Sequence, residues 1–166
     1  MKLHSTLATA IAIALCCASA AQAIEPGTAA PEIGLAGAQG PVNLAALKGK
    51  VVYVDFWASW CGPCRQSFPW MNALQARYGA RGLQVVGVNV DARRADADKF
   101  LAEVPATFAI GFDAQGDTPR RYAIKGMPTS VLIGADGKVI QVHNGFRDED
   151  RKALEAAIDG ALATAR

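Results

Sequence analysis

The sequence predicts an α/β fold in which a mixed central sheet carries helices on both faces. Two runs, Val51–Trp57 and Leu83–Val90, are almost entirely apolar, β-branched or aromatic, as is typical of strands buried on both faces. Between them, apolar side chains in Gly62–Tyr78 recur every three or four residues, which indicates a helix. Because strands and helices alternate along the chain, we expect a layered sheet with packed helices.

The segment before the first buried run, residues 24–50, is predicted to be mostly extended and is called the lead-in below. Proline, glycine and alanine are frequent from residue 24 to residue 40, and we expect one short strand near Glu32–Leu35. Val42–Leu47 predicts a brief strand followed by a turn. The first buried strand then follows, interrupted by a single acid, Asp55.

Two prolines and two glycines shape the central helix. Pro63 lies in its first turn, where no backbone N–H donor is needed. Pro69 lies inside it and should kink it, because proline removes a backbone hydrogen bond. We expect Gly79 and Gly82 to end it.

Shorter elements complete the pattern after the second buried run. The Asp136-Gly137 pair between two apolar runs predicts a β-hairpin. Acids in the first turn of the last helix suit its macrodipole and require no functional interpretation. The predicted elements are a helix at Ala95–Glu103, a strand at Thr107–Phe112, a short helix at Thr118–Tyr122, strands at Ser130–Ile133 and Val139–Asn144, and a helix at Asp148–Ala163.

Composition excludes several classes of function. The chain has 166 residues, 51% of them apolar and 19% charged, which allows one domain with a substantial core. The 17 Lys and Arg against 15 Asp and Glu give a net charge of +2. This balance is too even for a nucleic-acid-binding or polybasic membrane surface, so we expect neither kind of partner.

Residues 1–23 resemble a secretory signal peptide. Lys2 precedes an uncharged apolar run from Leu7 to Ala18, and Ala21-Gln22-Ala23 offers the small residues that a signal peptidase reads. We therefore expect cleavage after Ala23, export to the periplasm, and one mature domain at residues 24–166. An uncleaved N-terminal anchor and a lipoprotein signal remain as alternatives, although Leu15 before Cys16 fits the lipoprotein signal poorly.

Removal of this segment leaves one pair of cysteines. Cys16 and Cys17 lie in the removed residues 1–23, so the mature chain keeps Cys61 and Cys64. His143 is then its only histidine. A zinc site of the usual Cys/His composition would need more ligands, so we expect no metal and no cofactor beyond the cysteine pair itself. His143 is interpreted as a surface residue rather than a catalytic base.

The spacing of the pair predicts redox chemistry. It places Cys61 at the N-terminus of the central helix and Cys64 one turn inside, with Gly62 and Pro63 between them. Unpaired N–H groups and the helix dipole favour a thiolate, so the pKa of Cys61 should fall below that of an ordinary thiol. Cys61 should then attack a disulfide, and the shielded Cys64 should resolve the mixed disulfide.

Two structural interpretations of the pair stay open. A structural disulfide across two residues would close a very small loop and so stabilise the fold weakly. Half of a metal site would need a second pair or a nearby histidine.

At this point the residues resemble a known family. VVYVDFWASWCGPC, followed by Pro69 and by Gly126-Met127-Pro128-Thr129, is similar to thioredoxins over essentially the whole mature chain. The export signal, the lead-in and the length from Asp91 to Pro128 resemble the exported TlpA/ResA-like branch of thiol-disulfide oxidoreductases. The resemblance implies a thioredoxin fold with an N-terminal extension and a central αβ insert.

The resemblance also implies roles for residues around the cysteines. Pro128 should be cis and lie beside them, and the backbone of Met127 should pair with an extended substrate segment. Gly145 resembles the glycine that leaves room for substrate on the other side. Trp60, with Gly62 and Pro63, belongs to the expected substrate-binding surface.

Asp55 matches the buried acid of thioredoxins. Its pKa should be raised by desolvation, so that it can exchange the proton of Cys64 through water. The alternative is a solvated acid at a strand end. We also expect Trp57 and Trp60 to pack over the sulfurs and cover them from water, with an ordinary core position as the alternative for Trp57.

Two positions depart from the family pattern. The lysine that thioredoxins often place near the buried acid aligns with Gly87. Exported cytochrome-maturation members usually carry a glutamate three residues after the second cysteine, where this chain has Ser67. The second departure weakens the case for a cytochrome-specific role, and cytochrome c maturation and periplasmic redox homeostasis both stay open.

The resulting expectation is a monomeric exported oxidoreductase that reduces disulfides in protein substrates. Gly62-Pro63 resembles the spacer of low-potential reductants, and such a reductant in an oxidising compartment needs an electron donor, for which we expect a membrane thiol transporter. The alternatives are a thiol oxidase or isomerase, and a non-catalytic binding or chaperone module. A peroxidase is disfavoured because Ala58 stands where peroxiredoxins carry a threonine.

Overall fold

A mixed five-stranded sheet, seen in a computed structural model that describes residues 24–165, organises the chain. The order is β5-β4-β3-β6-β7, with β3, β4 and β5 parallel and β6 and β7 antiparallel to their neighbours. The sheet strands are β3 (Val51–Trp57), β4 (Leu83–Asn89), β5 (Ala109–Phe112), β6 (Thr129–Ile133) and β7 (Val139–Asn144), and a separate two-stranded ribbon is formed by β1 (Gly34–Leu35) and β2 (Val42–Asn43).

Helices and the N-terminal segment cover the two faces of this sheet. On one face, side chains of the sheet and of three helices, those that begin at Gly62, Arg94 and Arg151, form one apolar cluster. On the other face, side chains of the sheet, the N-terminal segment and Tyr122 form a second cluster. All seven residues of β3 are buried between the clusters, as its apolar run predicts. The helices are α1 (Gly62–Tyr78), α2 (Arg94–Glu103), α3 (Asp117–Arg121) and α4 (Arg151–Thr164).

The lead-in closes both edges of the sheet. The Phe112 N–H donates to the Ala36 carbonyl beside β5, and the Val139 N–H donates to the Thr28 carbonyl beside β7. These bonds satisfy backbone groups that an open edge strand would expose. The extended segment that the sequence predicts therefore acts as an edge cover.

The predicted elements are all present, and the differences lie at their ends. The strand predicted from Thr107 begins at Ala109. The last helix, predicted from Asp148, begins as a 3₁₀ turn over Asp148–Asp150 and becomes α4 at Arg151. A tightened first turn is common where side chains compete for the first N–H groups; here the Asp150 carboxylate accepts the Arg147 N–H at 2.9 Å.

Within residues 24–165, no helix is long and apolar enough to cross a membrane. The predicted signal peptide at residues 1–23 lies outside the described residues.

Candidate active site

The two cysteines form a disulfide at the start of α1, just after the turn that follows β3. Cys61 is the N-cap residue of α1, and its Sγ accepts the Cys64 N–H at 3.2 Å. Both cysteines are buried, while Gly62 and Pro63 between them are exposed. The helix N-terminus therefore points one of its N–H groups, that of Cys64, at the Cys61 sulfur, in agreement with the spacing.

The two tryptophans that flank the pair behave differently. Trp57 is fully buried and packs edge-on against Phe68, at 4.9 Å between ring centroids, and against Phe100. Trp60 is 71% exposed. Most of the Trp60 indole therefore lies in solvent beside the turn before Cys61, which the Cys61 N–H closes on the Ala58 carbonyl.

A buried carboxylate that the sequence reasoning missed holds this turn. Asp91 accepts the Ser59 N–H at 2.9 Å, the Ser59 Oγ–H at 2.8 Å and the Asn89 amide at 2.7 Å. Ser59 and Asp91 follow the carboxyl ends of neighbouring parallel strands, where polar side chains gather. That placement is the signal that could have identified them.

Replacing Asp91 with alanine should destabilise the oxidised protein by about 2–4 kcal/mol, because the buried Asn89 amide and the half-buried Ser59 N–H would lose their acceptor. Urea denaturation measures the effect. The control is Asp98→Ala, which removes an exposed ion pair with Arg94 and should change the free energy of unfolding by about 0.5 kcal/mol or less. A loss below about 1 kcal/mol for Asp91→Ala would contradict the assignment.

The peptide bond between Met127 and Pro128 is cis, as the resemblance implies. Met127 is half-buried against the apolar cluster that contains both cysteines. The Gly145 N–H donates to the Pro128 carbonyl at 2.7 Å, and Gly145 adopts φ 82°, a conformation that favours glycine. The loop after β7 therefore supports the cis-proline loop.

Asp55 lies in the middle of β3 and is 3% exposed, which rules out a solvated acid at a strand end. Its Oδ2 has no hydrogen-bond partner among the described residues. Burial raises the pKa of Asp55 well above its ordinary value. Burial therefore favours the neutral, protonated carboxyl of Asp55 in the folded protein.

Gly87 lies opposite Asp55 in the neighbouring strand β4. A Cβ at this position would lie 2.8 Å from Ile110 Cδ1 and 3.1 Å from Trp57 Nε1, so the Trp57 ring occupies the space of a side chain. No lysine can therefore offset the burial of Asp55 from this position.

Ser67, the other departure, is 1% exposed, and its Oγ donates to the Cys64 carbonyl at 3.1 Å. It offers no carboxyl to a substrate. Among the described residues, no group of three or more His, Cys, Asp or Glu side chains is arranged to hold a metal ion.

Comparisons with known proteins agree with this geometry. The Redoxin family model matches residues 25–158. The chain is 33% identical to the thiol-disulfide oxidoreductase ResA of Geobacillus thermodenitrificans, over 81% of this chain and 79% of the relative. It is 35% identical to ResA of Oceanobacillus iheyensis over 68% of this chain, a match that spans only 59% of that relative.

Solved structures give the same result. A Chlorobium tepidum protein described as the thiol:disulfide interchange protein DsbE is 58% identical, with a TM-score of 0.83 over 84% of this chain and 99% of the other. A Neisseria meningitidis structure described as a thioredoxin is 27% identical, with a TM-score of 0.71 over 81% of this chain and 89% of the other. The chain therefore belongs to the redoxin family within the thioredoxin superfamily, as a thiol-disulfide oxidoreductase of the ResA/DsbE type with a Cys-X-X-Cys pair.

Proposed function

We propose that this protein is an exported reductant that transfers two electrons from Cys61 and Cys64 to disulfides of client proteins. The observation that carries the reducing direction is the modest stabilisation around Cys61. Its sulfur accepts one backbone N–H, and the nearest cation in sequence, Arg65, is bound to Glu103 at 3.0 Å. Strong oxidants owe their high potential to a strongly stabilised reduced form, which this arrangement does not provide.

The surface around the disulfide fits a protein client. Trp60, Gly62 and Pro63 are all exposed beside Cys61 and offer an apolar platform with little side-chain bulk. The backbone of Met127, next to the cis-proline, would pair with an extended client segment without selecting its side chains. Because Ser67 supplies no carboxyl, the proposed clients are disulfide-bonded proteins in general, with apocytochrome c as one member of that class.

The proposed compartment and electron donor follow from the reducing direction. The signal-like residues 1–23 support export to the periplasm, where thiols are kept oxidised. A reductant there must itself be reduced after each turnover. We propose a membrane thiol transporter as the donor.

The reduction potential tests the direction. Equilibration of the purified protein with glutathione or dithiothreitol buffers should give a value near −270 mV, as for thioredoxin. A value above about −180 mV, in the range of disulfide isomerases and oxidants, would overturn the reductase assignment in favour of an oxidase or isomerase. The same titration with Arg65→Ala is the control, since a side chain already paired with Glu103 should shift the potential little.

A further inference from the structure

A row of polar side chains crosses the apolar sheet face that α4 covers. Asp55 on β3 lies directly opposite Ser130 on β6, and Ser130 lies directly opposite His143 on β7. Directly opposed residues in antiparallel strands have Cβ atoms about 4.5–5.5 Å apart on the same face. The carboxyl, hydroxyl and imidazole are therefore consecutive neighbours.

Tyr53 and a small cavity complete the row. Tyr53 lies two residues before Asp55 on the same face and is buried. Burial, and then the charge of Asp55, raise the pKa of Tyr53, so its hydroxyl keeps its proton. A cavity of about 10 Å³ is lined by Tyr53, Ser130, Gln141 and His143 beside apolar residues of β6 and α4. This volume is close to the smallest that admits one water molecule.

The row reaches solvent at its far end. His143 Nε2 lies 3.3 Å from Asp150 Oδ2, and each of the two side chains is 24% exposed. Two further ion pairs involve residues near Asp150 in the chain, Arg147 with Glu149 and Arg151 with Asp148. The imidazole, whose two ring nitrogens can donate and accept a proton, therefore lies between the buried hydroxyl groups and water.

We propose that Ser130, Tyr53 and His143 form the route by which Asp55 exchanges its proton with solvent. The proposal rests on the role that the resemblance to thioredoxins implies for Asp55, that of proton acceptor for Cys64. The position of the row supports it, because Ser130 and the Tyr53 hydroxyl stand in an apolar cluster where hydrocarbon side chains would pack without the desolvation cost of a polar group.

The reaction explains why a proton route that avoids the surface around Cys61 is useful. Because burial favours the protonated form, Asp55 must first lose its own proton. When Cys64 then attacks the mixed disulfide, its thiol proton passes to the Asp55 carboxylate. The new bond joins Cys64 Sγ to Cys61 Sγ, and the bond between Cys61 and the client sulfur breaks, so the client leaves as a thiolate. A docked client covers the exposed surface around Cys61 during this step. The proton on Asp55 can still leave through Ser130 and the water-sized cavity to His143.

Chemical rescue tests the route. The decay of a preformed mixed disulfide between Cys61 and a client peptide is followed in the full mature chain. His143→Ala should slow this decay about tenfold, which is less than the usual contribution of a general acid or base to a rate. Added imidazole should restore the decay rate in proportion to the imidazole concentration. Ser130→Ala should slow the decay without rescue. Ile140→Ala, at an exposed position near the start of β7, is the control and should match the wild type.

Each other outcome identifies what fails. An unchanged rate in His143→Ala, or a loss that imidazole does not restore in a folded variant, would overturn the route. Asp55→Asn is measured in parallel. If it leaves the decay unchanged, the acid–base role of Asp55 fails and the route falls with it, while the reducing direction, which depends on the potential, stands. If Asp55→Asn slows the decay and His143→Ala does not, the route alone is wrong.

Discussion

Cys61→Ser should abolish the reduction of insulin disulfides, whereas Cys64→Ser should accumulate a mixed disulfide with its substrate. The structure gives the two sulfurs different environments, since Cys61 caps α1 and accepts the Cys64 N–H, while Cys64 is fully buried one turn inside. Cys61 is thus the sulfur that the helix N-terminus stabilises as a thiolate, and the thiolate is the attacking species. Without it no mixed disulfide forms.

Without Cys64, the mixed disulfide forms but has no internal nucleophile to resolve it. Non-reducing mass spectrometry of each variant after mixing with reduced donor and insulin distinguishes the species. Ser59→Ala is a useful control, because it changes the same turn and keeps both sulfurs. Equal trapping by both cysteine variants would reverse or abolish the assignment of attacking and resolving roles. Trapping with Cys64→Ser in the native compartment would also identify the clients.

Asp55→Asn should make the oxidised protein more stable at pH 8 and remove a pH dependence that the wild type shows. Burial raises the pKa of Asp55 well above its ordinary value, so the folded protein holds a proton that the unfolded chain releases near pH 4. The folded state is therefore favoured most fully below about pH 4, and this contribution is lost as pH rises through the native pKa of Asp55. Asparagine imitates the neutral carboxyl at every pH.

We expect a clear gain at pH 8 that vanishes towards pH 4, where the wild type also carries an uncharged side chain at this position. Chemical denaturation from pH 4 to pH 9 measures it, with Asp98→Asn as a control that changes an exposed carboxylate. If the stability of the wild type does not decrease from pH 4 to pH 9 relative to that of Asp55→Asn, Asp55 ionises as an ordinary acid. The same variant should reduce disulfides more slowly, because Cys64 loses its proton acceptor.

The sequence predicted correctly the elements whose bounds depend on residues within a single segment. The run Val51–Trp57 forms β3 with the predicted bounds, and Gly62–Tyr78 forms α1 with the predicted bounds. Hydrophobic periodicity specifies such elements because burial of one face or of both faces leaves few other arrangements. The resemblance to thioredoxins supplied the cis bond before Pro128, which the residues alone left as an ordinary turn.

Contacts between distant residues were harder to predict. The bond between Ser59 and Asp91 joins residues 32 positions apart, and neither residue has an apolar pattern that marks it. His143 was interpreted as a surface residue, yet it is half-buried and paired with Asp150. Trp60 was expected to shield the sulfurs but extends into solvent.

The sequence by itself determined the order of strands and helices and the placement of two cysteines at the start of a helix, since both follow from spacing within one segment. Only the tertiary structure decided that the lead-in covers both sheet edges and that Asp55, Ser130 and His143 form one row. The physical reason is register. Which side chains face one another across a sheet depends on how strands far apart in the chain align, and no local pattern records that alignment.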